Sequence, residues 1–185
     1  MVKRDLIKYI ILVIAMVLGL IGLRLYVFEP YTVAKQDANN YIQQNDMVVA
    51  FKTVKTDYSD LVLYQVDGNK HVGRIIAKPG DSVTYMDDVL YLNHEIKDEP
   101  YIENLKTAYH KQFVNGAYFT NDFSIETLTQ TVDGVIPKSE YLILNDDRTN
   151  SKDSREYGLI NKSDIIGVIS FRLAPFSEFG FVDSI

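Results

Sequence analysis

Tyr141-Leu-Ile-Leu-Asn-Asp-Asp-Arg-Thr-Asn-Ser-Lys-Asp-Ser-Arg-Glu-Tyr-Gly158 joins a short apolar run to a dense set of charges. Tyr141 to Leu144 reads as a strand, stopped by the turn-formers Asn145 and Asp146. The loop beyond it carries Asp146, Asp147, Arg148, Ser151, Asp153, Ser154 and Arg155. A guanidinium grips a carboxylate through two parallel N–H bonds, so these arginines and aspartates are expected to pair within the loop and fix it. A solvated, charged turn is the plain alternative.

Working outward, the chain is rich in short apolar or β-branched runs separated by turn residues. Met47 to Phe51 follows the Asn45-Asp46 turn. Leu61 to Val66 leads through Asp67-Gly68-Asn69, a strong hairpin signal, into His71 to Ala77 and the turn Lys78-Pro79-Gly80-Asp81. Ser82 to Met86 and Val89 to Asn93 form another hairpin around Asp87-Asp88, and Ile165 to Leu173 supplies a last strand. Ile102 to Thr131 is weakly periodic and reads as an excursion with one short helix near Ile125 to Gln130. The tail from Ala174 to Phe181 carries aromatic residues suited to packing on the sheet, or to lying at a membrane surface. The fold class that follows is mainly β, an antiparallel barrel-like body.

Ahead of that body, Tyr9 to Leu23 is apolar without interruption, and the run resumes after Arg24 to Phe28. About 20 residues at ~1.5 Å each span roughly 30 Å, the thickness of a bilayer core. Arg24 near one end can snorkel, and Lys3, Arg4 and Lys8 ahead of the run put the N-terminus on the cytoplasmic side. The division is then a cytoplasmic segment 1–8, a transmembrane anchor 9–28 and an extracytoplasmic domain 29–185, a type II, single-pass arrangement at the cell membrane. A cleaved signal peptide ending near Thr32-Val33-Ala34 competes, against the length of the run and bulky Pro30 and Tyr31. A buried soluble helix would need a larger protein to cover it.

The chain has 185 residues, no cysteine, three histidines and a formal charge of −6. That is enough length for one real core plus an appendage. Without cysteine there is no disulfide and no thiolate chemistry. His71, His94 and His110 lie at no ligand spacing, so no metal or other cofactor is expected. The acidic balance, with basic residues clustered only at the extreme N-terminus, argues against nucleic acid.

Three segments together resemble the type I signal peptidase family, most closely its single-span bacterial members. Asp146, Arg148, Ser151, Asp153, Ser154 and Arg155 match the polar box that closes the active-site region there. Phe28, Pro30, Val33, Asp46 and Val48 fall in register with the family pattern Phe-x-Pro-x-x-Val-x-Gly-x-Ser-Met-x-Pro-Thr-Leu-x-x-Gly-Asp-x-Val. Val72, Arg74, Ile76, Pro79, Gly80 and Asp81 match Val-Lys-Arg-Val-Ile-x-x-Pro-Gly-Asp. The resemblance runs from Phe28 to about Gly180. It implies a mostly antiparallel β domain on the outer membrane surface, and a family activity of cleaving signal peptides from exported proteins with a serine nucleophile and a lysine base.

The departures fall on those two groups. The family's serine position is Asp37 and its lysine position is Gly73. Lys35, Ala38 and Asn40 also replace pattern residues, and Asn145 and Asp147 replace the usual Gly and Asn of the box. A carboxylate is a weak nucleophile towards an amide and brings negative charge to where an oxyanion would develop. Glycine supplies no base. Lys70 faces the other side of a regular strand, His71 lies roughly 6.6 Å along it, and Lys35 is placed to pair with Asp37 structurally. The resemblance therefore implies a catalytically inactive homologue, with no catalytic residue retained. Two alternatives stay open: an endopeptidase using Ser151 or Ser154 with a nearby lysine, and an adaptor. The partners implied are the lipid bilayer and either signal peptides of exported proteins or an active signal peptidase.

Overall fold

In a computed structural model, the structure describes residues 2–113, 116–129 and 134–182. Gln130 and Thr131, which close the expected excursion and its helix, and the end of the chain at 183–185 lie outside the described residues.

Helix α1, Val2–Tyr26, is 25 residues long, about 37 Å at ~1.5 Å per residue. Its apolar side chains are exposed on every side, and it is long and apolar enough to cross a membrane. The junction to the body is tied by charge. Lys52 donates from Nζ to the carbonyls of Arg24 and Leu25 at 3.0 and 3.3 Å, satisfying acceptors that the last helical turn leaves open. Glu29 sits 3.2 Å from Lys52 and 2.6 Å from Lys70. Those two ammonium groups, prevailing over the burial that opposes them, hold the Glu29 carboxyl below its usual range.

The body is mainly β. Its strands are β1 Phe28–Thr32, β2 Met47–Phe51, β3 Leu61–Val66, β4 Asn69–Ala77, β5 Val83–Met86 and β6 Val89–Leu92. They continue with β7 Glu95–Lys97, β8 Phe123–Ser124, β9 Glu140–Leu144, β10 Ile160–Asn161, β11 Ile165–Ala174 and β12 Gly180–Phe181. The larger sheet runs β1-β2-β11-β3-β4-β9-β10, with β12 added to β11, and the smaller runs β7-β6-β5-β8. Every pairing among the described residues is antiparallel. Asp67-Gly68, Asp87-Asp88 and Asn93-His94 all have positive φ, the backbone that a two-residue hairpin needs to match strand twist.

Strand β4 is the axis of this arrangement. From Val72 to Ala77 it is buried, with Val72 packed against Val48, Ala50 and Leu63, Ile75 against Val62 and Ile143, and Ile76 against the core joining the two sheets. Buried on both faces, this stretch does not alternate between apolar and polar residues, and its one charge, Arg74, is buried with it. It pairs with β3 along its length, from Asn69 to Arg74, but with β9 only from Arg74 onward.

Several elements go beyond the expectation, strand β1 and the short strands β8, β10 and β12 among them. Helix α2, Glu103–Gln112, precedes the expected short helix α3, Ile125–Thr129. Leu105 and Tyr109 of α2 pack on the core, too thin a stripe to stand out among charged neighbours. Strand β7 arises from the Asn93-His94 turn. In the tail, Phe179 and Phe181 do meet Phe171 of β11 edge to face, at 5.1 and 5.2 Å. Even so, Phe181 remains 81% exposed and Phe176 89%.

Candidate active-site cleft

The position at which the family pattern places a serine lies in a single helical turn, Lys35–Asp37, after β1. Asp37 is only 5% exposed. Tyr31 donates its hydroxyl to Asp37 Oδ2 at 2.5 Å, and the backbone N–H of Val72 points to Oδ1 at 3.3 Å. The pairing expected with Lys35 is replaced by these two donors. Burial raises the Asp37 carboxyl above its usual range, opposed by the two hydrogen bonds and by His71. Burial and the neighbouring carboxylate likewise raise the Tyr31 phenol.

Because Val72 holds Asp37, position 37 abuts β4 beside Gly73. A Cβ at Gly73 would stand 2.6 Å from Ile143 Cγ2, 3.2 Å from the carbonyl oxygen of Leu144 and 3.3 Å from Tyr64 Cε1. The space in which a side chain would begin is thus already filled. Tyr64 is fully buried, and its hydroxyl has no hydrogen-bond partner among the described residues. Burial raises its phenol strongly, helped by the charges of Asp153 and Asp37. Its ring continues a ladder through His71 at 5.7 Å to Tyr157 a further 5.3 Å away. Gln36, Asp37, His71, Asn145, Lys152 and Tyr157 line an open cleft of about 280 Å³.

The box residues lie around and behind this cleft, and their pairing differs from that expected. Among the described residues only Arg155 pairs within the loop, with Asp153 at 2.7 Å, while donating to the carbonyls of Arg148 and Asn150. Asp153 caps the short helix α4, Ser154–Tyr157, and also accepts from the Asn145 N–H at 2.9 Å. The other charges reach across the fold. Asp146 takes both Nε and Nη2 of Arg74 at 2.8 Å, while Arg74 Nη1 donates to the Ser59 carbonyl and its guanidinium lies 4.2 Å from the Tyr101 ring centre. Arg148 crosses to the smaller sheet, donating to Glu99 and to the Tyr85 hydroxyl, both at 2.6 Å. Glu99 and the Tyr85 phenol hold the Arg148 cation well above even arginine's ordinary range, despite complete burial that works the other way.

The serines of the loop have other work. Ser154 is 1% exposed, and its Oγ accepts from the N–H of Ile143 at 3.0 Å. Ser151 is exposed on the loop surface. The residues that sequence reading did not single out are Tyr31, Tyr64, Tyr157 and Glu99. Tyr31 shares its face of β1 with Glu29, so period-two alternation offers only a weak signal for it, and the others needed the tertiary arrangement.

The model for the signal peptidase family, peptidase S26, matches residues 4–174 of the chain. The chain belongs to the type I signal peptidase family. It is 36% identical to signal peptidase IB of Staphylococcus aureus (strain MRSA252), over 97% of this chain and 95% of that protein. It is also 29% identical to a protein named inactive signal peptidase IA from S. aureus (strain Mu50), over 95% of each chain. Among solved structures, a signal peptidase I from Enterococcus faecalis V583 superposes with a TM-score of 0.56 at 31% identity, covering 62% of this chain and 97% of that one. The mainly β body after an apolar helix is the family's architecture, as the sequence motifs implied.

Proposed function

We propose that this signal peptidase homologue is anchored in the cell membrane by α1 and has lost peptidase activity. The observation that carries this reading is the pair of positions met across the cleft: a buried carboxylate at 37, and at 73 a glycine whose side-chain space is taken by Ile143 and Tyr64. No hydroxyl stands at position 37, and no amine at position 73 can take its proton. In a serine protease, loss of nucleophile or base alone costs on the order of 10⁶ in turnover. What binding and oxyanion donors leave is about 10³ to 10⁴ over water. Ser154 offers no replacement, being buried and committed to the Ile143 N–H.

Under this reading residues 1–8 are cytoplasmic, the apolar stretch from residue 9 to the end of α1 at Tyr26 spans the bilayer, and the body from β1 onward faces outward with the cleft open to exported polypeptides. The partners are the lipid bilayer and extended segments of signal peptides. The test is cleavage of a preprotein by the full chain purified in detergent from cells depleted of their own signal peptidase. The expected result is an uncut substrate after incubation that exhausts it with an active relative. Specific cleavage at the signal-peptide junction would refute inactivity, and loss of that cleavage in Ser154→Ala would assign it to the loop serine. Protease added outside intact cells should digest the β body and spare the N-terminus, which would be overturned by the opposite pattern.

A further inference from the structure

The loss of catalytic groups explains why nothing is cut, but not why Asp37 is held as it is. Among the described residues, strand β4 has no strand partner along one edge beside the cleft: from Asn69 to Gly73 it is paired to β3 on one side, and β9 joins the other side only from Arg74. The Val72 N–H projects from this edge, because it reaches Asp37 and not β3. Such an edge is a template for an extended peptide, which adds as a strand through main-chain hydrogen bonds. Here alternate residues of the edge are already tied to the β1 side of the cleft. Lys70 Nζ meets Glu29 at 2.6 Å, and Val72 N meets Asp37 Oδ1 at 3.3 Å, while Tyr31 holds the other oxygen of Asp37 at 2.5 Å.

We propose that Asp37 is a built-in cap on the peptide-binding edge, its Oδ1 standing where the carbonyl oxygen of a bound extended peptide would accept from Val72. The position given to the nucleophile in the family thus competes with peptide in this chain. Tyr31 is the positioning residue: by donating to Oδ2 it turns Oδ1 towards β4. A peptide must displace a side-chain oxygen already seated on a backbone donor, and gains in exchange only the hydrogen bond that the donor gives up. This rests on the cleft being a peptide site, as proposed above, and goes beyond it in saying what occupies that site at rest.

The experiment uses the full chain in nanodiscs of phosphatidylcholine and phosphatidylglycerol. The probe is a fluorescein-labelled peptide carrying Ala-x-Ala, read by fluorescence anisotropy and by hydrogen exchange over residues 69–73. Asp37→Ala is expected to bind about tenfold more tightly than the parent, the equivalent of one hydrogen bond no longer displaced, with new protection over that segment. Asp37→Asn keeps an oxygen for Val72 and is expected to stay within about twofold of the parent. Equal affinity of Asp37→Ala and parent would overturn the cap. So would a gain without protection over 69–73, or an equal gain in Asp37→Asn, which would make charge and not the hydrogen bond responsible. If Asp37→Ala does not fold, Tyr31→Phe decides alone: a smaller gain in affinity supports the cap, and parent affinity overturns it. Mass spectrometry of the recovered probe scores cleavage separately, so a cut probe counts against inactivity and leaves the cap to be judged on binding.

Discussion

The arginine network behind the cleft and the two positions at its mouth stand in contrast. Behind, Arg74, Arg148 and Arg155 are buried or nearly so, and each is matched to a carboxylate: Asp146, Glu99 and Asp153. At the mouth, Asp37 has a phenol and a backbone N–H in place of a cation, and Gly73 has no side chain. An ion pair deep in a protein is tolerated only while both partners remain, because either alone is an uncompensated buried charge. The network therefore cannot drift one residue at a time, whereas the mouth can. A scaffold of the signal peptidase family persists around a cleft whose two pattern positions hold a buried carboxylate and a tightly packed glycine.

The contrast is tested hardest at Arg74. Arg74→Ala leaves the buried Asp146 carboxylate unpaired and empties the space between Tyr41 and Tyr101. The expected cost is about 3–5 kcal/mol, seen as a large fall in the unfolding midpoint of the full chain in detergent. A loss below about 1 kcal/mol would mean that the network is dispensable and would break the comparison. Next in size is the packed centre. Gly73→Ala should cost roughly 1–3 kcal/mol, since its methyl meets Ile143 Cγ2. Ile143→Leu removes that branch, so a double-mutant cycle should return a favourable coupling of about 1 kcal/mol. Additive effects would mean that position 73 is merely empty and not filled. The same crowding bears on rebuilding the dyad: Asp37→Ser with Gly73→Lys must also displace Ile143 or Tyr64.

Much of this was legible in the residues. Strands with turn chemistry at both ends, such as Leu61–Val66 and Asn69–Ala77 around Asp67-Gly68, declare themselves by local rules. So does the apolar length of α1. Helix α2 did not, because most of its surface is solvated and propensity there is a weak guide. In the cleft, Asp37 and Gly73 were visible as departures from a pattern. Their neighbours were not, since Tyr31, Tyr64 and Ile143 approach them from other strands. The loop charges show the same limit: composition announced arginine–carboxylate pairs, but Asp146 reaches Arg74 on β4 and Arg148 reaches Glu99 beyond β7. Partner choice is tertiary information.

The smallest expected effect is also the one that separates the mouth from the network most cleanly, because its sign is reversed. The Asp37 carboxyl is raised by burial, so its neutral form is the one the fold prefers. The stability this contributes is fully present below the unfolded carboxyl value of about 3.9 and is lost as pH rises through the higher folded value. An amide does not ionise, so Asp37→Asn should unfold at a higher temperature than the parent near neutral pH. The two midpoints should converge as pH falls towards the unfolded carboxyl range. Asp60, raised mainly by burial, and Glu29, lowered by its lysines, titrate in both chains and drop out of the difference. A parent that is the more stable of the two at neutral pH would mean that Tyr31 and Val72 stabilise the charged form more than burial opposes it. Asp37 would then belong with the arginine partners, a fixed anion satisfied in place, and the line drawn between the two regions would disappear.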